Sequence, residues 1–222
     1  MFPNWRDKPK RKHVDVLAET LDPLNANIID VGCGMGHMTR ALTNMGAHVI
    51  GIDPGKRQLE RARTEETVGS EVYIEGVAED LPFNDQSKDI ILFFNSFHHV
   101  SKNKFSEAIR ETSRVLRSGG KLFFAEPIAD GPQFELSRLI NDETEIRALA
   151  YQSILDLPKN GFQEILELIY ITENRYESFE SFRFNSTSIN PAREKIFEEH
   201  KTEIRKLFEK YGIRNQGYYI FQ

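Results

Sequence analysis

Three glycines at alternate positions follow a short apolar segment within residues 27–39 of the chain. The first four residues of this stretch are predicted to form a buried β-strand. Gly32, Gly34 and Gly36 are predicted to form a tight turn, and the amphipathic residues after them an α-helix. Glycines leave the backbone of a turn bare and permit positive φ, so a bound molecule can approach it closely. The unpaired N–H groups at the start of the helix point to the same place. This order of strand, turn and helix predicts a ligand site.

The spacing of the glycines discriminates between two classes of ligand. The dinucleotide-binding pattern G-x-G-x-x-G would begin at Gly32 and would need its third glycine at the position of His37. The third glycine is Gly36 instead. Asp30, at the end of the strand, favours a cationic or amine-bearing ligand over a pyrophosphate, because a carboxylate repels phosphate.

The stretch Asp30-Val-Gly-Cys-Gly-Met-Gly36 resembles the first motif of class I S-adenosylmethionine-dependent methyltransferases. The resemblance implies that this turn passes under the methionine part of the cofactor. The residues predicted to contact it there are Asp30, Gly32, Cys33, Gly34 and Gly36. Cys33 is interpreted as a small apolar filler of the turn and not as a nucleophile.

An acidic residue follows the second predicted strand, residues 47–52, at Asp53. A carboxylate about 20 positions beyond a glycine turn, at the carboxyl end of the second strand, can accept two hydrogen bonds from ribose hydroxyls. The family resemblance assigns this role to Asp53, which could also cap the helix that begins near Pro54. The family often has a methionine against adenine where this chain has Gln58. Pro54 and Gln58 are predicted cofactor contacts.

The stretch Gly76-Val-Ala-Glu-Asp-Leu-Pro-Phe83 resembles the G-D-A-x-x-L-P-F motif of the quinone-biosynthesis type of small-molecule methyltransferases. In that family the aspartate receives the adenine amino group, but Val77 stands in its place here. Two alternatives remain open: Glu79 or Asp80 accepts from the amino group, or backbone and apolar contacts alone hold adenine. We predict that Ala78 and Glu79 line the adenine pocket.

Polar residues follow the fourth predicted strand, residues 89–94, where the family brings the methyl group and its acceptor together. Ligands of open parallel sheets bind beyond the carboxyl ends of the strands. Asn95 is therefore predicted to contact the cofactor, and His98 and His99 are candidate bases, with packing or hydrogen bonding as the alternative. Glu126, at the end of the fifth predicted strand, residues 121–126, is a candidate to take a proton or to hold a cationic substrate; a structural role is the alternative.

The predicted fold is a doubly wound α/β fold of the Rossmann-like methyltransferase type, with a seven-stranded, mostly parallel sheet whose last strand is antiparallel. Residues 1–130 are predicted to form an N-terminal helix and the cofactor-binding core, and residues 131–160 a helical insertion that covers the substrate. Residues 161–222 are predicted to complete the same sheet, with the sixth strand at 161–171 and the seventh at 218–222.

The composition excludes several other classes of protein. The 222 residues carry a net charge of −5, which gives no general attraction to nucleic acid or to anionic membranes. No apolar run approaches the roughly 20 residues that span a bilayer, and no signal peptide is recognised, so we expect a soluble, cytoplasmic protein. A single cysteine and scattered histidines argue against a metal site.

These features predict a methyltransferase that moves the methyl group of S-adenosylmethionine to oxygen, nitrogen or carbon of a small-molecule acceptor by in-line displacement. S-adenosylhomocysteine would be the product, and the protein is expected to be a monomer or a homodimer. A non-catalytic cofactor-binding sensor or partner subunit is an alternative, to which Val77 and Gln58 give weight. A protein or tRNA methyltransferase is another, supported only by the basic residues between Arg6 and His13.

Overall fold

A computed structural model of the chain describes residues 5–188, 190 and 192–222. The chain divides into two compact units. The first, called here the sheet unit, comprises His13–Pro127 and Ala148–Glu167. The second, called here the helical unit, comprises the residues through Lys12, Ile128–Arg147 and Leu168–Gln222.

Helices and strands mostly alternate through the first half of the chain, as the sequence predicts. Their bounds are α1 His13–Thr20, β1 Asn27–Val31, α2 His37–Asn44, β2 His48–Asp53, α3 Lys56–Thr64, β3 Val72–Glu75, β4 Lys88–Phe94, α4 Phe105–Val115 and β5 Leu116–Ala125. The elements that follow are α5 Pro132–Ser137, α6 Thr144–Leu155, β6 Asn174–Tyr176, α7 Phe179–Thr187, α8 Ala192–Tyr211, β7 Ile213–Asn215 and β8 Tyr218–Phe221. Among the described residues, no helix is both long enough and apolar enough to cross a bilayer.

The sheet unit is built on five parallel strands in the order β3-β2-β1-β4-β5. Most residues of the central strands β1 and β4 are buried, and residues 90–94 of β4 form a continuous apolar run, as expected of parallel strands that are covered on both faces. Leu17 of α1 and Leu42 of α2 pack with Ile28, Val49 and Leu92 in one cluster of buried residues. All five strands run in the same direction, so their carboxyl ends lie along one edge of the sheet.

The prediction of a single seven-stranded sheet is corrected by this topology. Strands β6, β8 and β7 form a second, three-stranded sheet. Strand β8 is antiparallel to both of its neighbours, but it lies in this second sheet and does not complete the first.

Residues 161–171 do not form the predicted sixth strand. Apart from an isolated bridge between Ile171 and Lys10, the segment has no ladder partner among the described residues, and the side chain of Ile165 is 83% exposed. The apolar residues of this segment do not alternate strictly with polar ones, since Ile165 and Leu166 are adjacent and residues 168–171 are all apolar or aromatic. A strand needs a period of two to bury one face, and this pattern does not supply it.

The helical unit has a hydrophobic core of its own, and aromatic residues dominate it. Phe182, Phe197 and Phe221 are fully buried, and Phe208 is nearly so. Helices α5, α7 and α8 and strands β6 and β8 supply the members of this core except Ile140, which follows α5. Its ring pairs have centroid separations of about 5 to 6 Å, the range in which aromatic pairs add to simple burial. Packing in this core therefore accounts for six aromatic residues of the later half of the chain, Tyr176, Phe179, Phe182, Phe197, Phe208 and Phe221.

Candidate cofactor site

The glycine turn that follows β1 has the backbone conformation that its sequence predicts. Gly32, Gly34 and Gly36 have φ values of 75°, 54° and 78°. A Cβ placed on Gly32 would lie 2.4 Å from the Cβ of Ser96, and one on Gly36 would lie 2.4 Å from the hydroxyl oxygen of Tyr73. A Cβ on Gly34 would meet nothing within 4 Å. The outer glycines thus allow close packing of the protein, and the middle one faces open space.

Asp53 fixes the turn to the end of β2. Its Oδ2 accepts a hydrogen bond from the Gly34 N–H at 2.9 Å, and its Oδ1 accepts one from the Gly55 N–H at 2.7 Å. The second bond is a local turn at the start of α3. An ionised carboxylate has about four acceptor positions, so two remain for hydroxyl donors of a ligand.

Asp30 is the buried acid of the site, with only 1% of its surface exposed. Its Oδ2 accepts a hydrogen bond from the Thr39 hydroxyl at 2.7 Å, but its Oδ1 has no partner among the described residues. Burial, which disfavours the charged form, is the main reason that the pKa of Asp30 is raised to about 6. A cation or an amine placed beside Oδ1 would supply the missing hydrogen bond and stabilise the carboxylate.

The side chain of Cys33 packs beneath the turn in a buried cluster with Leu59, Ala62 and Tyr73. Burial raises the pKa of the thiol, which keeps it protonated and unreactive. The side chain is therefore an apolar filler of the turn.

Tyr73 and Arg40 support the turn from below, although no sequence pattern singles them out. The Arg40 guanidinium donates to the Tyr73 hydroxyl at 3.1 Å and to the Met35 carbonyl oxygen at 2.9 Å. The Tyr73 ring lies where a side chain at Gly36 would otherwise be. This arrangement holds the bare backbone in one conformation.

A second group of polar residues lies where β4 and β5 end. Asn95 takes the left-handed conformation with a φ of 50°, which asparagine tolerates better than most residues, and its N–H donates to the Ala125 carbonyl at 2.8 Å. Ser96 then turns inward, and its hydroxyl donates to the Val31 carbonyl at 2.6 Å, directly below Gly32.

Glu126 organises the loop that carries both histidines. Its Oε1 accepts from the Ser96 N–H at 3.1 Å and from the Phe97 N–H at 2.9 Å, and its Oε2 is hydrogen-bonded to Nδ1 of His98. His98 is buried, whereas His99 is exposed and its ring lies 4.0 Å, centroid to centroid, from the His98 ring. The three candidate catalytic residues are thus adjacent, and Glu126 and His98 form a direct pair.

A shallow depression of about 300 Å³ lies beside Asp53 at the ends of β2 and β3. Its lining residues are Pro54, Glu75, Gly76, Val77, Asp80 and Pro82. Of the residues predicted near adenine, Pro54 lines this depression, Ala78 is buried, and Gln58 packs against Gly55. Glu79 is not among the lining residues, but Asp80 is.

Four residues that contact the turn or Asp30 are not predicted from the sequence, namely Thr39, Tyr73, Arg40 and Ser96. One signal was available for Thr39, because a polar residue falls on the buried face of the amphipathic helix α2. Tyr73 contacts the turn from β3, and Ser96 contacts it from the end of β4. A local sequence pattern does not predict such contacts between residues that are distant in the chain.

Comparisons with known proteins agree with this architecture. Residues 29–124 match the family model described as a methyltransferase domain. The uncharacterised methyltransferase YcgJ of Bacillus subtilis is 30% identical over 150 residues, which are 62% of this chain and 58% of that protein. The uncharacterised methyltransferase Rv3342 of Mycobacterium tuberculosis is 36% identical over 95 residues, which are 43% of this chain and 37% of that protein. The chain spans about half the length of the curated relatives it matches.

Solved structures extend the likeness in fold over nearly the whole chain. The crystal structure of YcgJ from Bacillus subtilis gives a TM-score of 0.60 at 23% identity, covering 94% of this chain and 93% of that one. The crystal structure of BH2331 from Bacillus halodurans gives 0.59 at 21% identity, covering 94% of each chain. Residues 29–124, which include the glycine turn and nearly all of the five parallel strands, are thus similar to a methyltransferase domain. The fold of the chain is like that of YcgJ.

Proposed function

We propose that this protein transfers the methyl group of S-adenosylmethionine to a small-molecule acceptor. The observation that carries the proposal is the unpartnered Oδ1 of the buried Asp30, which lies just before a turn whose middle glycine faces open space. A buried carboxylate oxygen without a partner is rare in folded proteins, and a ligand donor at this position would explain it. The cofactor has an ammonium group that would satisfy this oxygen.

The other residues of the site fit the rest of the cofactor. Gly34 leaves room for the methionine chain, and Asp53 keeps two acceptor positions for the ribose hydroxyls after it has bonded Gly34 and Gly55. Asn95 stands at the end of β4, at the same sheet edge. When bound, the cofactor supplies a methyl group on a sulfonium, which is an electrophilic carbon.

The protein's task in such a displacement is chiefly to hold the acceptor in line and to exclude water. An oxygen or nitrogen acceptor that carries a proton also needs a base. We assign this role to His98, because Glu126 accepts from its Nδ1 and so fixes the tautomer in which Nε2 exchanges the proton. Glu126 is then a positioning residue, and the adjacent, exposed His99 would help to hold the acceptor.

A small-molecule acceptor is favoured by the acidic composition of the chain. A net charge of −5 does not attract a polyanion such as tRNA. The stretch Asn95-Ser-Phe-His98 also differs from the N-P-P-[YFW] tetrapeptide of nucleic-acid methyltransferases.

The test has two stages, binding and turnover. Calorimetry with S-adenosylmethionine and S-adenosylhomocysteine should detect binding to the wild-type protein and a loss of at least tenfold in affinity for Asp30→Asn. Incubation of the protein with methyl-labelled cofactor and a metabolite extract should then give a labelled small product. Binding without any labelled product would favour the sensor alternative, and absence of binding would refute the proposal. Label in tRNA or protein alone would refute the assigned acceptor class.

A further inference from the structure

The glycine turn after β1 keeps one backbone N–H group for a ligand. The N–H groups of residues 32–34 and of Gly36 all donate to acceptors within the sheet unit, and the acceptor for Gly36 is the Cys33 carbonyl at 2.8 Å. The N–H of Met35 has no hydrogen-bond partner in the part of the chain that the structure describes. The peptide between Gly34 and Met35 is therefore the one whose donor needs a partner from outside.

Arg40, a residue of α2, reaches back to the peptide that follows. Its guanidinium donates to the Met35 carbonyl oxygen at 2.9 Å and to the Tyr73 hydroxyl at 3.1 Å. The Met35 carbonyl and the Gly36 N–H belong to the same rigid peptide plane. Arg40 holds one side of this plane, and the Cys33 carbonyl holds the other.

The planes on both sides of the Gly34–Met35 peptide are thus fixed. The preceding plane is held by the bond from the Gly34 N–H to Asp53, and the following plane by Arg40. Such support matters here because glycines flank Met35, and glycine populates more backbone conformations than other residues. A loop that is ordered before binding loses less conformational entropy when the ligand arrives, so its affinity is higher.

The charge of Arg40 is not used in an ion pair. The residue has no ion-pair partner among the described residues, and both of its acceptors are neutral oxygens. Burial is the main cause that raises the pKa of Tyr73, so its hydroxyl stays protonated at neutral pH. The planar guanidinium carries five N–H donors and can hold both acceptors at once.

We propose that Arg40 is a positioning residue for ligand binding, which holds the Met35–Gly36 peptide so that the adjacent Met35 N–H keeps one orientation toward a molecule over Gly34. The inference rests on the proposed function, which places the methionine part of S-adenosylmethionine over this turn. Arg40 acts through the backbone of the turn and not through its charge.

Arg40→Met keeps an unbranched side chain and removes both hydrogen bonds. Calorimetry with S-adenosylhomocysteine should give an affinity about five- to tenfold below that of the wild type, because the turn is no longer held before binding. In the ligand-free protein, the Gly36 N–H should exchange with deuterium about tenfold faster in NMR measurements, since its peptide is then held on one side only. The melting temperature should fall by about 2 to 4 °C.

Arg63→Met is the matched control for charge. Arg63 lies in α3 and donates to the Tyr73 carbonyl oxygen at 2.8 Å, so this change also removes one positive charge and a hydrogen bond to Tyr73. It should leave the affinity within about twofold of the wild type and the exchange of Gly36 unchanged. Arg40→Lys keeps the charge, but one ammonium does not reproduce the planar fork, so we expect a loss of about threefold.

An unchanged affinity in Arg40→Met would overturn the inference and leave the proposed function standing. An equal loss in Arg63→Met would also overturn it, because charge alone would then explain the effect. If Arg40→Met does not fold, Arg40→Lys decides, and wild-type affinity in that variant would overturn the inference. Absence of binding by the wild-type protein would overturn both the inference and the proposed function.

Discussion

Substitution of Gly34 by alanine separates strain in the glycine turn from loss of ligand binding. Alanine in the left-handed conformation of Gly34, with a φ of 54°, is destabilised by about 1 to 2 kcal/mol. For a chain of this size, such a change lowers the melting temperature by about 2 to 8 °C. The new Cβ meets no protein atom within 4 Å, so the fold itself should tolerate it. The methyl group would instead occupy the space above the turn.

We expect Gly34→Ala to weaken binding of S-adenosylhomocysteine by at least tenfold, or about 1.4 kcal/mol, as measured by calorimetry. Gly119→Ala is the matched control, because Gly119 has a φ of 74° and a Cβ added to it would also meet nothing within 4 Å. It lies in the first half of β5, away from the carboxyl edge of the sheet. The control should show a similar loss of stability and unchanged binding. Equal affinities in the two variants would refute the placement of the ligand over Gly34.

Three further perturbations test other parts of the structure. Burial raises the pKa of Asp30 from 3.8 to about 6, so the folded state holds this proton more tightly than the unfolded chain, and stability falls as pH rises between about 4 and 6. Asp30→Asn should therefore remove this pH dependence of stability. In urea titrations at pH 7 it should raise the free energy of unfolding by up to about 3 kcal/mol, and a less stable variant would contradict this reasoning. Glu126→Gln replaces the carboxylate that is hydrogen-bonded to two backbone N–H groups and to His98, and it should lower the free energy of unfolding by about 1 to 3 kcal/mol. An unchanged urea midpoint would mean that these hydrogen bonds do not stabilise the fold. Phe182→Ala leaves a cavity in the core of the helical unit and should lower the unfolding free energy by about 3 to 5 kcal/mol, whereas a loss below about 1 kcal/mol would mean that this core is loosely packed.

The sheet unit could be predicted from the sequence because its signals are local. The strand before the glycine turn is a short apolar run, and the helix after it ends before Gly46, whose φ of 89° suits glycine. The parallel arrangement also brings Asp30 and Asp53 to the same sheet edge, as sequence order alone implies. The hydrogen bond from Gly34 to Asp53 could not be predicted, because a side chain's exact partner depends on packing between strands.

The later half of the chain carries weaker signals. The hydrophobic residues of 161–171 are as compatible with an exposed extended segment as with a strand, because their pattern has no clear period. Strand β8 is recognisable by its aromatic and β-branched residues, but propensity does not specify a partner strand. Its pairing with β6 and β7 follows from tertiary packing, in which Phe221 joins the aromatic core of the helical unit.

The energetics of Asp30 link the stability of this fold to its site. One oxygen is satisfied by Thr39 and the other has no partner among the described residues, so ionisation at neutral pH opposes folding. An asparagine could make the same bond with Thr39 without a buried charge. A buried carboxylate oxygen without a hydrogen-bond partner is expected chiefly at functional sites, where a ligand can supply the missing partner. A cationic group beside Oδ1 would lower the pKa of Asp30, and by linkage its binding should strengthen as pH rises from about 5 to 7. The same carboxylate that destabilises the free protein would therefore contribute to the affinity for the amine of the proposed cofactor.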